Sequence, residues 1–391
     1  MVVRGVVGQQ VVDRLLHVRS PDAPMLSVYV GIPSDPGELR SLESRIHSLL
    51  KPVRELVDSS QLGHYERESL RADVARVIAL ATRTREYQGR TVAIVACQRA
   101  DLYEEIAIPA HTRDRAVVDA TPYLRPLLAA LDEAHRYCVV VVDRARAWVY
   151  EFFMKELEEA TSSDHRIGQR GTSARHVLEE HGAHERAEEL DKRHFRKTAG
   201  ATEELVQRTG AELVIVGGHE ETVSRFIPFL PNELRNRVAG TFVIDPHTMT
   251  PAEVRERAEH VVDAYEREEE ARLVDRALER VATGGMGATG LDWCLLAVNE
   301  KAVELLLIHD DSQVPGRACD NCGWLGLAGD ECPVCGQQTR GTADVIDEMA
   351  EAVVDAGGRV EHVYTDTALS RHVVAALLRC PVQNPGAAPT G

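Results

Sequence analysis

Two CxxCG motifs lie close together near the C-terminal end of the chain, with nine residues between the inner cysteines. Their cysteines are Cys319, Cys322, Cys332 and Cys335. Each CxxC turn directs two thiolates at one centre, and the glycine that follows, Gly323 or Gly336, lets the backbone curl around the sulfur atoms. Four thiolates complete the tetrahedral shell that Zn²⁺ prefers and leave no position for water or substrate. The spacing predicts a structural zinc ribbon over 317–340, in preference to a redox dithiol or an iron–sulfur cluster.

The rest of the composition is that of an ordinary globular chain. The other cysteines lie singly beside apolar stretches and are interpreted as small buried residues; they are Cys97, Cys138, Cys294 and Cys380. A chain of 391 residues can build cores without disulfides, and its length corresponds to two or three domains. It has no apolar run of about 18 residues and no signal-peptide pattern at its start. These features predict a cytoplasmic protein.

Alternation of apolar and helical segments predicts an α/β fold with three α/β domains and the zinc ribbon inserted in the C-terminal one. The predicted domains are 1–135, 136–262 and 263–383, followed by a flexible tail at 384–391. In the first domain, strands are predicted at 26–32, 91–97 and 101–108, with two charged helical segments within 36–88.

The middle domain is predicted to begin with a β-hairpin at Tyr137. A polar loop over 156–194 follows, and the remaining predicted elements are a helix at 196–209 and strands at 213–218 and 241–245. Thr250 and Pro251 are suited to begin a long connecting helix that extends to about 281. In the last domain, helices are predicted at 291–300, 342–356 and 366–379, and strands at 303–310 and 359–364.

The net charge of −17 disfavours a generic binder of DNA or RNA, because uniform negative charge repels phosphates. The segment 165–210 is nevertheless close to neutral, with nine basic and eight acidic residues. Its four clustered cations share one helix face and are Lys192, Arg193, Arg196 and Lys197. This face is suited to an RNA backbone. On these residues alone, a solvated face paired with nearby glutamates is the favoured alternative.

The order of these features resembles the class-1 peptide chain release factors of eukaryotes and archaea, and their relative Pelota. After the hairpin, Asp191–Lys197 is similar to an acidic-Lys-Arg-His segment of that family, and Gly217 and Gly218 end a similar strand. Val303–Ile308 resembles a strand of the family's C-terminal domain, after which archaeal members carry a CxxCG zinc insertion. The ending Ala375–Arg379 resembles a bacterial branch that includes ribosome-hibernation proteins such as Balon.

The resemblance also suggests site residues. The family's hallmark is a Gly-Gly-Gln loop that places a water against the ester of peptidyl-tRNA. The corresponding loop here retains Gly168 and Gln169 but has Ile167 in place of the first glycine. Gly168 and Gln169 are therefore the candidate catalytic residues. The candidate RNA contacts are Arg166, Arg170, Lys192, Arg193, His194, Arg196 and Lys197.

By this resemblance, the chain is expected to be a ribosome-binding translation factor. It would mimic tRNA in the A site and act in ribosome hibernation or protection. The expected partners are ribosomal RNA, with tRNA and an elongation factor as further candidates, and neither DNA nor a membrane. The first alternative is a peptidyl-tRNA hydrolase or rescue factor that uses Gln169. The second is a protein-interaction scaffold that does not touch the ribosome. Codon-specific termination is not expected, because the Asn-Ile-Lys-Ser stop-codon motif is absent from the sequence.

Overall fold

The computed structural model divides the chain into two compact units. The middle unit is Ala134–Glu269, and the split unit joins Met1–Glu133 to Glu270–Gly391. The structure describes residues 3–20, 22–33, 35–80, 87, 90–109, 112–132, 135–153, 156–164, 179–309 and 312–382. Within these ranges, no helix is both long enough and apolar enough to cross a membrane. Both units combine helices with sheets, which confirms the α/β class; the division into three domains stays a prediction.

The N-terminal segment of the split unit forms a five-stranded sheet. Its strands are β1 (Val3–Val6), β2 (Met25–Gly31), β3 (Thr91–Cys97), β4 (Leu102–Ile108) and β5 (Arg115–Asp119). They lie in the order β1-β4-β3-β2-β5, and only the β1–β4 pair among these is parallel. The three predicted strands are confirmed, whereas the sequence did not predict β1 and β5.

Six helices accompany this sheet within the described residues. They are α1 (Gln9–Leu16), α2 (Pro36–Leu39), α3 (Leu42–Leu49), α4 (Lys51–Asp58), α5 (His64–Leu80) and α6 (Arg125–Asp132). The prediction of two helical segments within 36–88 was too coarse. Pro52 lies in the first turn of α4, where its missing N–H is harmless, and it separates α4 from α3. Asp35 caps α2 by accepting hydrogen bonds from the N–H groups of Gly37 and Glu38.

The middle unit contains a second five-stranded sheet. Its strands are β6 (Arg136–Val142), β7 (Arg146–Phe153), β8 (Glu156–Asp164), β9 (Leu213–Gly218) and β10 (Val238–Val243). The order is β10-β9-β6-β7-β8. The predicted hairpin is the antiparallel pair β6–β7, while β9 is parallel to both β6 and β10. A side chain at Gly217 would overlap the ring of Phe242, so this strand end requires glycine.

Helices cover both faces of the middle sheet. They are α7 (Glu179–Thr209), α8 (Glu220–Phe226), α9 (Asn232–Asn236) and the first part of α10 (Pro251–Ala282). Apolar residues of α7 and α8 form one core with alternate residues of β6 and β9. Val254, Ala258 and Val262 of α10 form a second core with the intervening residues of the same strands. Because β6 and β9 are buried on both faces, their sequences are continuous apolar runs.

The predicted polar loop over 156–194 was wrong at both of its ends. Residues 156–164 form β8, an edge strand antiparallel to β7. An edge strand of a sheet can be built from polar residues. The sequence of β8 therefore lacks the apolar run by which strands were predicted from the sequence. The helix predicted at 196–209 begins at Glu179, 17 residues earlier.

The C-terminal segment of the split unit holds a four-stranded sheet and a three-stranded one. The first contains β11 (Gly287–Thr289), β12 (Val303–His309), β16 (Arg359–Val363) and β17 (Val374–Leu378), in the order β11-β17-β12-β16. The second contains β13 (Gly316–Ala318), β14 (Leu325–Gly326) and β15 (Arg340–Thr342), in the order β14-β13-β15. The helices are α11 (Leu291–Asn299) and α12 (Val345–Asp355).

The final helix predicted at 366–379 was wrong. Residues Ala368–Arg371 form one 3₁₀ turn, and Val374–Leu378 form β17, which pairs with β11 on one side and β12 on the other. All five residues of β17 are buried. A short, fully apolar run does not distinguish a buried strand from a buried helix, and pairing with distant strands decides its conformation here.

Candidate metal centre and candidate RNA interface

The two CxxCG motifs form two turns with the same hydrogen-bond pattern. The N–H of Gly323 donates to the carbonyl of Cys319 at 2.8 Å, and the N–H of Gly336 donates to that of Cys332 at 2.9 Å. Both glycines have positive φ angles, +77° and +69°, which side chains rarely tolerate. The sequence prediction that glycine closes each turn is confirmed by these angles.

The two turns bring four sulfur atoms together. The Sγ atoms of Cys319 and Cys335 are 3.5 Å apart, as are those of Cys322 and Cys332, and all four lie within 4.8 Å of one another. A disulfide would require about 2.05 Å, so the pairs are not bonded. Tetrahedral zinc with Zn–S bonds of about 2.3 Å would separate its sulfurs by about 3.8 Å. The four thiols therefore form a cluster that could hold a metal ion such as zinc.

The surroundings of Cys335 favour a thiolate. Hydrogen bonds from the backbone N–H of Gln337 and from the side chain of Asn321 lower the pKa of Cys335 to about 6. Arg340 links the first cysteine turn to helix α12. Its Nε donates to Asp320 at 2.8 Å, and its Nη2 donates to Glu348 of α12 at 2.7 Å. The three-stranded sheet and these bonds fix the position of the cysteine turns.

The predicted basic cluster lies on one exposed face of α7. The exposed residues are Lys192, Arg193, Arg196 and Lys197; we call this set the basic face. Arg196 lies 3.5 Å from Glu189, and both side chains are more than half exposed. An exposed pair of this kind contributes little energy, so Arg196 remains able to exchange its partner for another anion.

The opposite side of α7 anchors the basic face to the sheet. Asp191 is buried and accepts a hydrogen bond from Arg225 of α8 at 2.9 Å. Phe195 is 1% exposed, and its ring packs edge-on against Phe226 and Phe229. Because this side is fully packed, the backbone beneath the basic face is held in a defined orientation.

His194 does not belong to the basic face, contrary to its prediction as an RNA contact. It is 4% exposed, and its Nε2 lies 3.1 Å from the carbonyl oxygen of Asp143 in the hairpin turn. Helix geometry explains the difference, since His194 lies about 100° from Arg193 around the axis and so points into the unit. Its position supports the packing of α7 on the β6–β7 turn.

The predicted catalytic loop lies outside the described residues. This applies to the candidates Gly168 and Gln169 and to the predicted RNA contacts Arg166 and Arg170. Their assignment therefore stays a prediction.

The comparisons with known proteins agree with this architecture. Residues 122–263 match the family model described as bacterial archaeo-eukaryotic release factor family 10. This range contains the hairpin, α7, β9 and β10. This middle part of the chain is similar to the bacterial archaeo-eukaryotic release factors. The resemblance predicted from the sequence is thereby confirmed.

Curated relatives extend the likeness of this release-factor-like chain beyond its middle unit. It is 25% identical over 345 residues to peptide chain release factor subunit 1 of Methanopyrus kandleri, an alignment that covers 82% of this chain and 78% of that protein. It is 26% identical over 274 residues to the protein of the same name from Archaeoglobus fulgidus, covering 64% and 65%. A model of ribosome-bound archaeal Pelota and ABCE1 matches 97% of this chain and 96% of that one at 17% identity, with a TM-score of 0.42. That score supports no functional inference.

Sequence reasoning missed a buried polar cluster within the split unit. Arg125 of α6 is 3% exposed and donates to Asp344 at 2.7 Å. Asp347 accepts hydrogen bonds from the backbone N–H groups of Leu124 and Arg125. These residues are more than 200 positions apart in the chain, and no local motif in the sequence marks such a pair.

Proposed function

We propose that this chain is a ribosome-binding translation factor that occupies the A site as a tRNA mimic and protects ribosomes during hibernation. The observation that carries the proposal is the family match over the middle unit, whose helix α7 presents the basic face. The curated relatives that support it are named peptide chain release factors. A cytoplasmic location and a partner elongation factor belong to the same proposal.

Charge distribution supports a targeted contact with RNA. The chain as a whole carries −17, which opposes indiscriminate binding to phosphates. The basic face concentrates four cations on about two turns of a helix whose other side is packed. Arginine and lysine on such a face bind phosphate oxygens and fix the position of a protein on RNA without reading its sequence. Shape would then select the ribosome, and Gly168 and Gln169 would act at the peptidyl-transferase centre.

We further propose that Cys319, Cys322, Cys332 and Cys335 hold one structural zinc ion. The sulfur distances and the paired glycine turns fit this group. Zinc bound by four thiolates would stabilise the small sheet of β13, β14 and β15 without taking part in a reaction.

Co-sedimentation with ribosomes tests the main proposal. The wild-type chain is expected to pellet with ribosomes at moderate salt, and the double charge reversal K192E/R193E is expected to remain in the supernatant. The matched control is R257E/R276E, which makes the same charge change at two exposed positions of the long helix α10. Equal binding by all three proteins would show that the basic face is not the contact. A wild-type chain that never pellets would favour a scaffold outside the ribosome.

Peptide release is the second candidate activity, because the curated relatives are release factors and the loop retains Gly168 and Gln169. Stalled ribosomes carrying a labelled nascent peptide are the substrate for its test. Release that is lost in Gln169→Ala, while ribosome binding remains, would establish hydrolysis. Ribosome binding without release, in both the wild type and the variant, is the result expected for a protection factor.

A further inference from the structure

A second basic feature lies in the split unit, away from the basic face. It is a cavity of about 240 Å³ formed by the loop before β5, the start of α6 and the end of β16. Its lining includes Thr112, Arg113, Arg115, Arg125, His362 and Tyr364. Among the described residues that line it, three are arginine and none is aspartate or glutamate. The charged side chains that line the cavity itself are therefore all basic, in a chain with a net charge of −17.

Arg115 is the decisive residue of this cavity. Its guanidinium donates to the hydroxyl of Tyr123 and lies 5.4 Å above the ring of the same residue. The neighbouring carboxylate, Asp114, is instead paired with Arg45. Within the described part of the chain, Arg115 forms no ion pair with a carboxylate. The half-buried Arg115 is therefore positioned by the hydroxyl of Tyr123, which itself donates to Asp344 at 3.3 Å, and it makes no direct contact with a carboxylate among the described residues.

The other polar groups of the cavity differ in what they can offer. Arg125 is paired with Asp344, which neutralises its charge, so Arg125 shapes the wall of the cavity without adding net positive charge. Burial, with the nearby Arg125, lowers the pKa of His362 to about 3, so its ring is neutral at physiological pH. Tyr364 is 49% exposed at the cavity and offers an aromatic face. Arg113 is exposed and lies two residues from Arg115.

We propose that this cavity binds the phosphate group of a small phosphorylated molecule, with Arg115 and Arg113 as its charged contacts. Two guanidinium groups and a threonine hydroxyl match the several acceptor oxygens of a phosphate or diphosphate better than those of one carboxylate. The cavity is larger than a single phosphate, and Tyr364 could stack on an attached ring. This inference does not depend on ribosome binding.

Isothermal titration calorimetry of the full chain at physiological salt tests the proposal. The probes are inorganic phosphate, pyrophosphate, adenosine monophosphate, adenosine diphosphate and succinate. We expect pyrophosphate or a nucleotide to bind, and Arg115→Gln to weaken binding at least about tenfold, which corresponds to a charge-assisted hydrogen bond. The matched control Arg71→Gln removes an exposed arginine of α5 and should bind like the wild type.

Three results would overturn the proposal. These are the absence of binding by every phosphorylated probe, binding that Arg115→Gln leaves unchanged, and stronger binding of succinate than of pyrophosphate. If Arg115→Gln unfolds, as judged by circular dichroism, the exposed Arg113→Gln replaces it with the same expectation of weakened binding. A short RNA oligonucleotide is titrated as well. Binding of the oligonucleotide alone, lost in either variant, would assign the cavity to an RNA backbone and contradict a small-molecule site.

Discussion

The buried ion pair between Arg125 and Asp344 connects the two segments of the split unit. The pair is 2.7 Å long, and its side chains are 3% and 1% exposed. Arg125 also donates to the carbonyl of Ser312, and Asp344 also caps α12 through the N–H of Ile346. Replacing Arg125 with methionine preserves much of the volume but leaves Asp344 buried without its cation. We expect Arg125→Met to destabilise the split unit.

The size of the effect follows from the burial of the pair. Removing one partner of a buried ion pair costs about 3–5 kcal/mol, because the remaining charge stays desolvated. In a unit of this size, each kcal/mol lowers Tm by about 2–4 °C, so the expected decrease is roughly 6–20 °C. Desolvation also raises the pKa of the neighbouring Asp347 well above its ordinary value, and removal of Arg125 would raise it further.

Hydrogen exchange resolved by peptide separates the two units in one measurement. Protection should fall in β5, α6 and α12 and stay unchanged in β6 and β9. The matched control is Arg71→Met, since the Arg71–Glu68 pair is also 2.7 Å long but 57% exposed on both sides. That control should change the free energy of unfolding by less than about 0.5 kcal/mol. An Arg125→Met protein whose free energy of unfolding falls by less than about 1 kcal/mol, or that loses protection equally in both units, would show that the buried pair does not stabilise the split unit.

Three further predictions concern single residues. Burial raises the pKa of Asp73 from 3.8 to about 6. Between these pH values the folded chain keeps a proton on Asp73 that the unfolded chain loses, so the free energy of unfolding falls as pH rises from about 4 to 7. Asp73→Asn should therefore stabilise the chain by about 1–2 kcal/mol at pH 7.5 and by little at pH 4; equal denaturation midpoints at pH 7.5 would contradict this. Cys332→Ser should abolish zinc binding in elemental analysis, whereas Cys380→Ser, outside the cluster, should retain one zinc per chain. Phe195→Ala should cost about 3–5 kcal/mol in denaturant unfolding and loosen the basic face; a cost below about 1 kcal/mol would show that α7 is held by other contacts.

Much of the architecture could be predicted where local sequence determines structure. Thr250 and Glu253 form the capping interaction expected at the start of α10, with Thr250 N–H donating to Glu253 at 2.8 Å and Glu253 N–H donating to the hydroxyl of Thr250 at 3.2 Å. The apolar runs at 136–142 and 213–218 are strands because both of their faces are buried. The cysteine cluster was likewise predictable, because each CxxCG turn is formed by residues close together in the sequence.

The remaining features depend on contacts between distant residues. β17 was predicted as a helix because its apolar run carries no period, and its neighbours β11 and β12 lie elsewhere in the chain. The family resemblance assigns His194 to the RNA contacts, whereas the helix places it against the carbonyl of Asp143, 51 residues away. The arginine-lined cavity joins Arg115 to His362, and no spacing in the sequence indicates that these residues meet.

A cryo-electron microscopy map of the chain bound to ribosomes would show where the middle unit binds and what the basic face contacts. We expect the middle unit to occupy the A site, with Lys192, Arg193, Arg196 and Lys197 of α7 against ribosomal RNA. Density for the chain at another ribosomal site, or with this face of α7 turned to solvent, would contradict it.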